Sequence, residues 1–243
     1  MKKDDVGDSS LPISRVVFGV RYEPQYRVRD SIGRLIDTIL GAKGSPFGPD
    51  TFPLSEAGAH THRLVNPETD DSLTITQSDA LLDLAMPTTT LGRVVQLAAS
   101  FDTFVLSPLA EVCAVRNIHR YGMLVRFDDK GVHLMQRPVE RYGDKDLPTP
   151  REMAIRFVYR LPTEEAYFRS GVDDYRNVIY TMTEGDDGSV RLSLDYQEYF
   201  LPSLEADELR KRPFATFAEQ GTQYHRKTFG EWVRKLAQVG RAA

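Results

Sequence analysis

Cysteine is nearly missing from this chain: Cys113 stands alone in 243 residues. No internal disulfide can form from it, and a zinc cage built on cysteine is ruled out. Long apolar runs are missing too. Nothing approaches the roughly 20 residues a membrane-spanning helix needs, so no membrane partner is expected. A basic excess is also lacking. The 31 lysines and arginines stand against 35 aspartates and glutamates, a formal charge of −4. That balance gives no global pull toward nucleic acid or anionic lipid, although a local basic face would be hidden in the sum. Met1-Lys2-Lys3-Asp4-Asp5 is charged and leads into no apolar signal core, so the expected location is the cytoplasm, with the thiol reduced.

Catalytic signatures are absent as well. There is no Gly-x-Ser-x-Gly elbow, no His-Glu-x-x-His and no dinucleotide fingerprint, and Gly41 to Gly48 lacks the order of a P-loop. Cys113 lies in Glu111-Val112-Cys113-Ala114-Val115, where a cysteine behaves as a small buried hydrophobe. The pairs Asp70-Asp71, Asp128-Asp129, Asp173-Asp174 and Asp186-Asp187 all fall where turns are expected, because aspartate bonds its local backbone there. His60-x-His62 has the spacing that puts two imidazoles on one side of a strand. A metal would need a third ligand, from Glu56 or a distant carboxylate, so no metal and no cofactor are expected.

What is present reads as α+β. Ile13 to Tyr22 is a buried strand closed by Pro24. Asp30 or Ser31 is expected to cap a helix carrying Ile32, Leu35, Ile36, Ile39 and Leu40 on one stripe, stopped at Gly41. Gly41 to Gly58 reads as a loop. Short strands follow at 59–65, 73–76 and 81–86, then a helix after Thr90 with Leu91, Val94, Val95, Ala98 and Phe101 on one side. A strand over 115–127 is expected to turn at Asp128 to Gly131 into 132–137. Further strands are read at 154–161, 175–183 and 190–200, with a short helical segment after Thr163. A long helix over 213–239, bearing Phe214, Phe217, Tyr224 and Trp232, closes the chain. The layout suggests antiparallel sheet packed by helices, with an N-terminal lobe over 1–140 and a C-terminal lobe over 141–243 that together can form one compact domain. Val16 to Pro24 is echoed by Ala154 to Pro162, which a duplicated β-α-β-β-α unit would explain.

One stretch invites a binding role. Arg116, Asn117, His119, Arg120, Tyr121 and Arg126 gather within eleven residues, and Arg137, Arg141, Arg151, Arg156 and Arg160 follow. Guanidinium groups pair with phosphates and aromatic rings stack on bases, so Arg116, His119, Arg120, Tyr121 and Arg126 are the candidate binding residues. The competing reading is an ordinary half-wet sheet face whose arginines pair with acids. Trp232, Phe229 and Tyr224 are core residues or anchors for a protein partner.

Val17 to Pro24, Ile118 to Leu124, Leu194 to Phe200 and His225 to Phe229 together make the chain resemble a patchily distributed bacterial family of uncharacterised proteins of about this length. The resemblance implies no activity and no cofactor. Its scattered distribution implies mobile or defence-associated gene neighbourhoods. The expectation is therefore a non-catalytic partner-binding protein, a subunit of a bacterial accessory or defence assembly that binds another protein or itself. A single-stranded nucleic-acid-binding module is the alternative, and a metal-dependent hydrolase around His60 and His62 the third.

Overall fold

A computed structural model describes residues 13–58, 60–89, 91–130, 153–162, 174–184, 189–205, 208, 211–229 and 231–232. The strands are β1 (Ile13–Tyr22), β2 (Leu54–Ala57), β3 (Thr61–Asn66), β4 (Asp71–Thr76), β5 (Asp79–Thr89), β6 (Ile118–Lys130), β7 (Met153–Pro162), β8 (Tyr175–Glu184) and β9 (Ser189–Leu204). The helices are α1 (Tyr26–Gly41), α2 (Leu91–Phe101), α3 (Ser107–Cys113) and α4 (Phe214–Tyr224). Two π-turns, Asp102–Leu106 and His225–Phe229, join α2 to α3 and continue α4. No described helix is long and apolar enough to cross a membrane.

All nine strands form one antiparallel sheet in the order β2-β3-β4-β5-β1-β6-β9-β8-β7. The order is symmetric about the central β1–β6 pair: β5 flanks β1 and leads into α2, while β9 flanks β6 and precedes α4. By position, then, β1 corresponds to β6. The sequence echo between Val16–Pro24 and Ala154–Pro162 instead matches a central strand to the edge strand β7. The echoed residues Val16, Phe18, Val20 and Tyr22 are buried in β1, whereas those of β7 are mostly exposed.

Strand periodicity decides which side chains meet the helices. Val16, Phe18, Val20 and Tyr22 of β1 are buried, as are Tyr121, Met123, Val125 and Phe127 of β6 and Leu192, Leu194 and Tyr196 of β9. The core they form is aromatic. Phe214 meets Phe18 and Phe101 edge to face at 5.4 and 5.1 Å, Phe18 and Phe101 pack tilted at 5.9 Å, and Tyr121 packs on Phe200, Phe214 and Phe217. Gly221 lets α4 lie close on the sheet. A Cβ there would stand 2.4 Å from Met123 Cε and 3.0 Å from the Tyr196 ring.

Local structure departs from expectation at four places. α1 begins at Tyr26 rather than at Asp30 or Ser31, because Val28 adds a buried position one turn earlier. Leu54–Ala57 forms a strand inside the expected loop, paired with β3 from Leu54↔Val65 to Ala57↔His62. The helix after β5 runs on through the π-turn and α3 to Cys113, where Ala114 takes a left-handed φ of 53° and stops it. β6 does not turn at Asp128. It stays paired with β9 to Lys130↔Ser189, so Asp128-Asp129 is strand, held by pairing that outweighs local turn preference. The expected segments at 132–137 and 163–166, the pair Asp186-Asp187 and the end of the terminal helix lie outside the described residues.

Candidate functional site

The second face of the sheet carries no helix among the described residues, and its side chains fall into straight cross-strand rows. Arg156 stands opposite Thr181, Thr181 opposite Ser193, Ser193 opposite Arg126, and Arg126 opposite Arg15. A parallel row runs Arg160, Asn177, Gln197, Gly122, Gly19, Leu81. A third runs Tyr175, Tyr199, Arg120, Arg21, Asp79. The Gly19–Gly122 pair places no side chain of its own at the middle of the face, and Leu81 leans over Gly19, its Cδ1 3.2 Å from where a Cβ would stand.

The cations on this face differ by side. On the β1–β5 side, Arg15 donates from Nε to Asp83 at 2.5 Å and from Nη1 to Asp70 at 2.9 Å. Arg21 Nε donates to Asp79 at 2.9 Å. On the β6–β7 side only Arg191 has an ion pair among the described residues, with Asp128 at 3.1 Å. Arg120, Arg126, Arg156 and Arg160 have no described carboxylate within 4.0 Å. Burial, with the nearby Arg191 charge, works against protonation of Arg126, and its buried Nε has no hydrogen-bond partner. A partly shielded guanidinium without an anion beside it is less well stabilised than the paired arginines on the other side.

Aromatic rings order two of these cations. Tyr175 and Tyr199 stack with centroids 4.6 Å apart and planes 11° from parallel. Arg160 caps Tyr175, its guanidinium carbon 4.2 Å from the ring centre. Arg120 lies 5.7 Å from the centre of Tyr199 and donates to its hydroxyl at 3.4 Å. This Arg–Tyr–Tyr–Arg ladder fixes the guanidiniums and uses the ring faces that a nucleobase would need. One acid lies within it: Asp195 feels both Arg120 and Arg156, accepts a hydrogen bond from Gln197 at 2.7 Å, and has its carboxyl pushed up by burial.

Of the residues proposed from sequence, Arg120 and Arg126 share this face. Tyr121 does not: its neighbour Arg120 points outward, so the alternation turns Tyr121 into the core, where its hydroxyl donates to the Arg212 carbonyl at 3.1 Å. His119 is exposed at the register shift between Ile118 and Arg120, and Arg116 is exposed just before the strand. Arg137, Arg141 and Arg151 lie outside the described residues. Sequence reasoning missed Tyr175, Tyr199 and Asp195, since nothing local shows that β8 and β9 bring them beside β6. The strict alternation over Arg120-x-Gly122-x-Leu124-x-Arg126 was the available signal.

Other sites fare less well. His60 and His62 line a small cleft of about 90 Å³ with Val28 and Ile32, and His62 is hydrogen-bonded to Ser55 at 2.8 Å. Glu56 lies opposite Arg63, on the other face from His62, so it cannot complete a metal site. Among the described residues no three His, Cys, Asp or Glu side chains gather to hold a metal. Arg212–Asp174 at 2.6 Å and Arg176–Glu198 at 3.4 Å are buried pairs beside α4, and Gln220 accepts from Arg176 at 2.8 Å. They tie β8 and β9 to the helix. A cleft of about 610 Å³ beside the first π-turn is mostly apolar, and the Asp102 carboxylate in it accepts the Ala215 backbone N–H at 3.3 Å. That carboxylate caps α4 rather than standing as a free acid.

No protein-family model matches this sequence, and no curated protein matches it. Among solved structures the chain is similar to the Methanococcus jannaschii TBP, at 10% identity over 88% of this chain and 98% of that one, with a TM-score of 0.25. A likeness at that level assigns neither fold nor ligand.

Proposed function

We propose that this is a non-catalytic binding protein whose β6–β9–β8–β7 sheet face takes the phosphate backbone of single-stranded nucleic acid. The observation that carries the reading is the set Arg120, Arg126, Arg156 and Arg160, presented on one face without carboxylate ion pairs among the described residues, while Arg15, Arg21 and Arg191 are paired. Phosphates supply the missing anions, and released counterions drive the association. The ring faces of Tyr175 and Tyr199 are occupied, so contact is to backbone rather than to bases, and binding is indifferent to base composition. From Arg120 to Arg126 the face spans about 20 Å along β6, room for a short stretch of strand.

The test is fluorescence anisotropy with single-stranded DNA and RNA at low salt. Affinity should fall steeply as salt rises, and Arg120→Glu should abolish it. Unchanged anisotropy for both polymers at about 50 mM salt would remove the reading. The wider setting, a subunit of a bacterial accessory or defence assembly, is supported by the family resemblance alone. Purification alongside the products of neighbouring genes tests it, and a strict monomer with nothing co-eluting counts against it.

A further inference from the structure

Edge strands in natural proteins are kept short, bulged, or armed with charges that discourage a new neighbour. β2, at one end of this sheet, follows that rule, with four exposed residues including Glu56. β7, at the other end among the described residues, is neither short nor bulged, and the charges it carries, Arg156 and Arg160, are of one sign. It runs for ten residues, and its register with β8 continues without a shift from Met153↔Glu184 to Pro162↔Tyr175. The pairings β1–β5, β1–β6 and β6–β9 all contain a shift. Phe157, Val158 and Tyr159 are 41%, 51% and 44% exposed. Alternate residues of such a strand turn their N–H and C=O away from β8, toward whatever lies beyond the edge.

The side chains specify the neighbour. On the open face β7 presents Arg156, Val158 and Arg160; on the other it presents Phe157 and Tyr159, with Trp232 edge-on to Phe157 at 6.2 Å. No acidic residue occurs between Met153 and Pro162. A second copy of β7 fits poorly, because antiparallel pairing centred on Val158 would set Arg156 opposite Arg160 of the copy, and like charges directly opposite are destabilising. We infer that the edge of β7, unpaired among the described residues, accepts an extended segment of another protein as a tenth strand. That segment carries acidic residues four apart, facing Arg156 and Arg160, and apolar residues on its opposite face against Phe157 and Tyr159. Main-chain hydrogen bonds give affinity in this mode, and the alternating side chains give specificity.

The experiment uses the full chain and synthetic ten-residue peptides with that acidic and apolar alternation. Binding is followed by calorimetry, with sedimentation reporting self-association. Two further peptides are N-methylated at odd or at even positions only. The patterned peptide should bind, and one N-methyl series should lose binding while the other keeps it, because only every second N–H reaches β7. Arg156→Glu with Arg160→Glu should weaken binding about tenfold or more, whereas Arg120→Glu should leave it unchanged. Equal binding by polyglutamate, or equal loss from both N-methyl series, would reduce the interaction to bulk charge and overturn the proposal. So would self-association abolished by the same β7 substitutions, since the edge would then belong to a second copy. Arg120 separates this proposal from the nucleic-acid reading: failure with oligonucleotides alongside peptide binding removes only the latter.

Discussion

The two sides of the open sheet face carry three and five described arginines and use them differently. On the β1–β5 side Arg15 and Arg21 are closed by Asp83, Asp70 and Asp79, and Arg63 faces Glu56 at 3.9 Å. On the β6–β7 side Arg191 pairs with Asp128, while Arg120, Arg126, Arg156 and Arg160 have tyrosines, hydroxyls and the half-buried Asp195 for neighbours. Aspartates at positions 79 and 83 of β5 fall opposite Arg21 and close to Arg15, whereas β8 offers Asn177, Thr181 and Thr183 at the corresponding open-face positions. The same sheet geometry therefore gives paired arginines on one side and, on the other, four arginines with no described carboxylate within 4.0 Å. The difference lies in the acids set opposite the arginines.

The strongest way to break this contrast is to reverse charges on the open side. Arg126→Glu with Arg156→Glu should lower single-strand affinity about 100-fold or more and reduce the salt slope by about two, measured by anisotropy across a salt series. A fall no larger than that caused by Arg21→Glu would abolish the distinction between the sides.

Next in size, Asp83→Asn should convert part of the paired side to the open kind. Arg15 and Asp83 are both mostly shielded, at 22% and 24% side-chain exposure, so denaturant unfolding should show a loss of about 1 kcal/mol. Affinity for the oligonucleotide should rise a few-fold.

Asp195 gives a smaller effect and one that depends on pH. Burial raises its carboxyl above the ordinary range. A carboxyl raised on folding contributes stability that is present at low pH and fades as pH climbs through the folded value. Asp195→Asn should therefore remove that loss, leaving the neutral-pH melting temperature equal or slightly higher. It should also raise affinity about two-fold at neutral pH and flatten the wild-type gain in affinity on acidification. A steeper pH dependence in the variant would contradict this assignment.

The smallest effect is expected for Arg21→Gln. This exposed pair with Asp79 should contribute no more than about 0.5 kcal/mol, and its loss should leave oligonucleotide binding unchanged.

Much of the framework was legible in the chain. The buried alternation of β1 and β9 and the stripe of α1 follow from hydrophobic period, because one face of each element must leave water. The same alternation, applied strictly, separates Tyr121 from Arg120. Listing residues by proximity in sequence put them together, and the pleat puts them on opposite faces. Asp128-Asp129 was misread for a related reason: local turn preference is weak beside a ladder that continues across the pair. The histidines failed at the step sequence could not check, since pairing of β2 with β3 sends Glu56 to the other face.

By itself the sequence determined that no internal disulfide and no cysteine-built zinc cage can form, that no apolar run is long enough for a spanning helix, and that several familiar catalytic signatures do not occur in it. It also determined that antiparallel strands and amphipathic helices would form, because period and turn chemistry are local properties. Only the tertiary structure decided which arginines have an ion-pair partner among the described residues. That depends on strand order, which brings β8 and β9 beside β6 and sets the aspartates of β5 against β1. Residues more than 50 positions apart become neighbours about 5 Å apart across a sheet, and no local pattern encodes which ones.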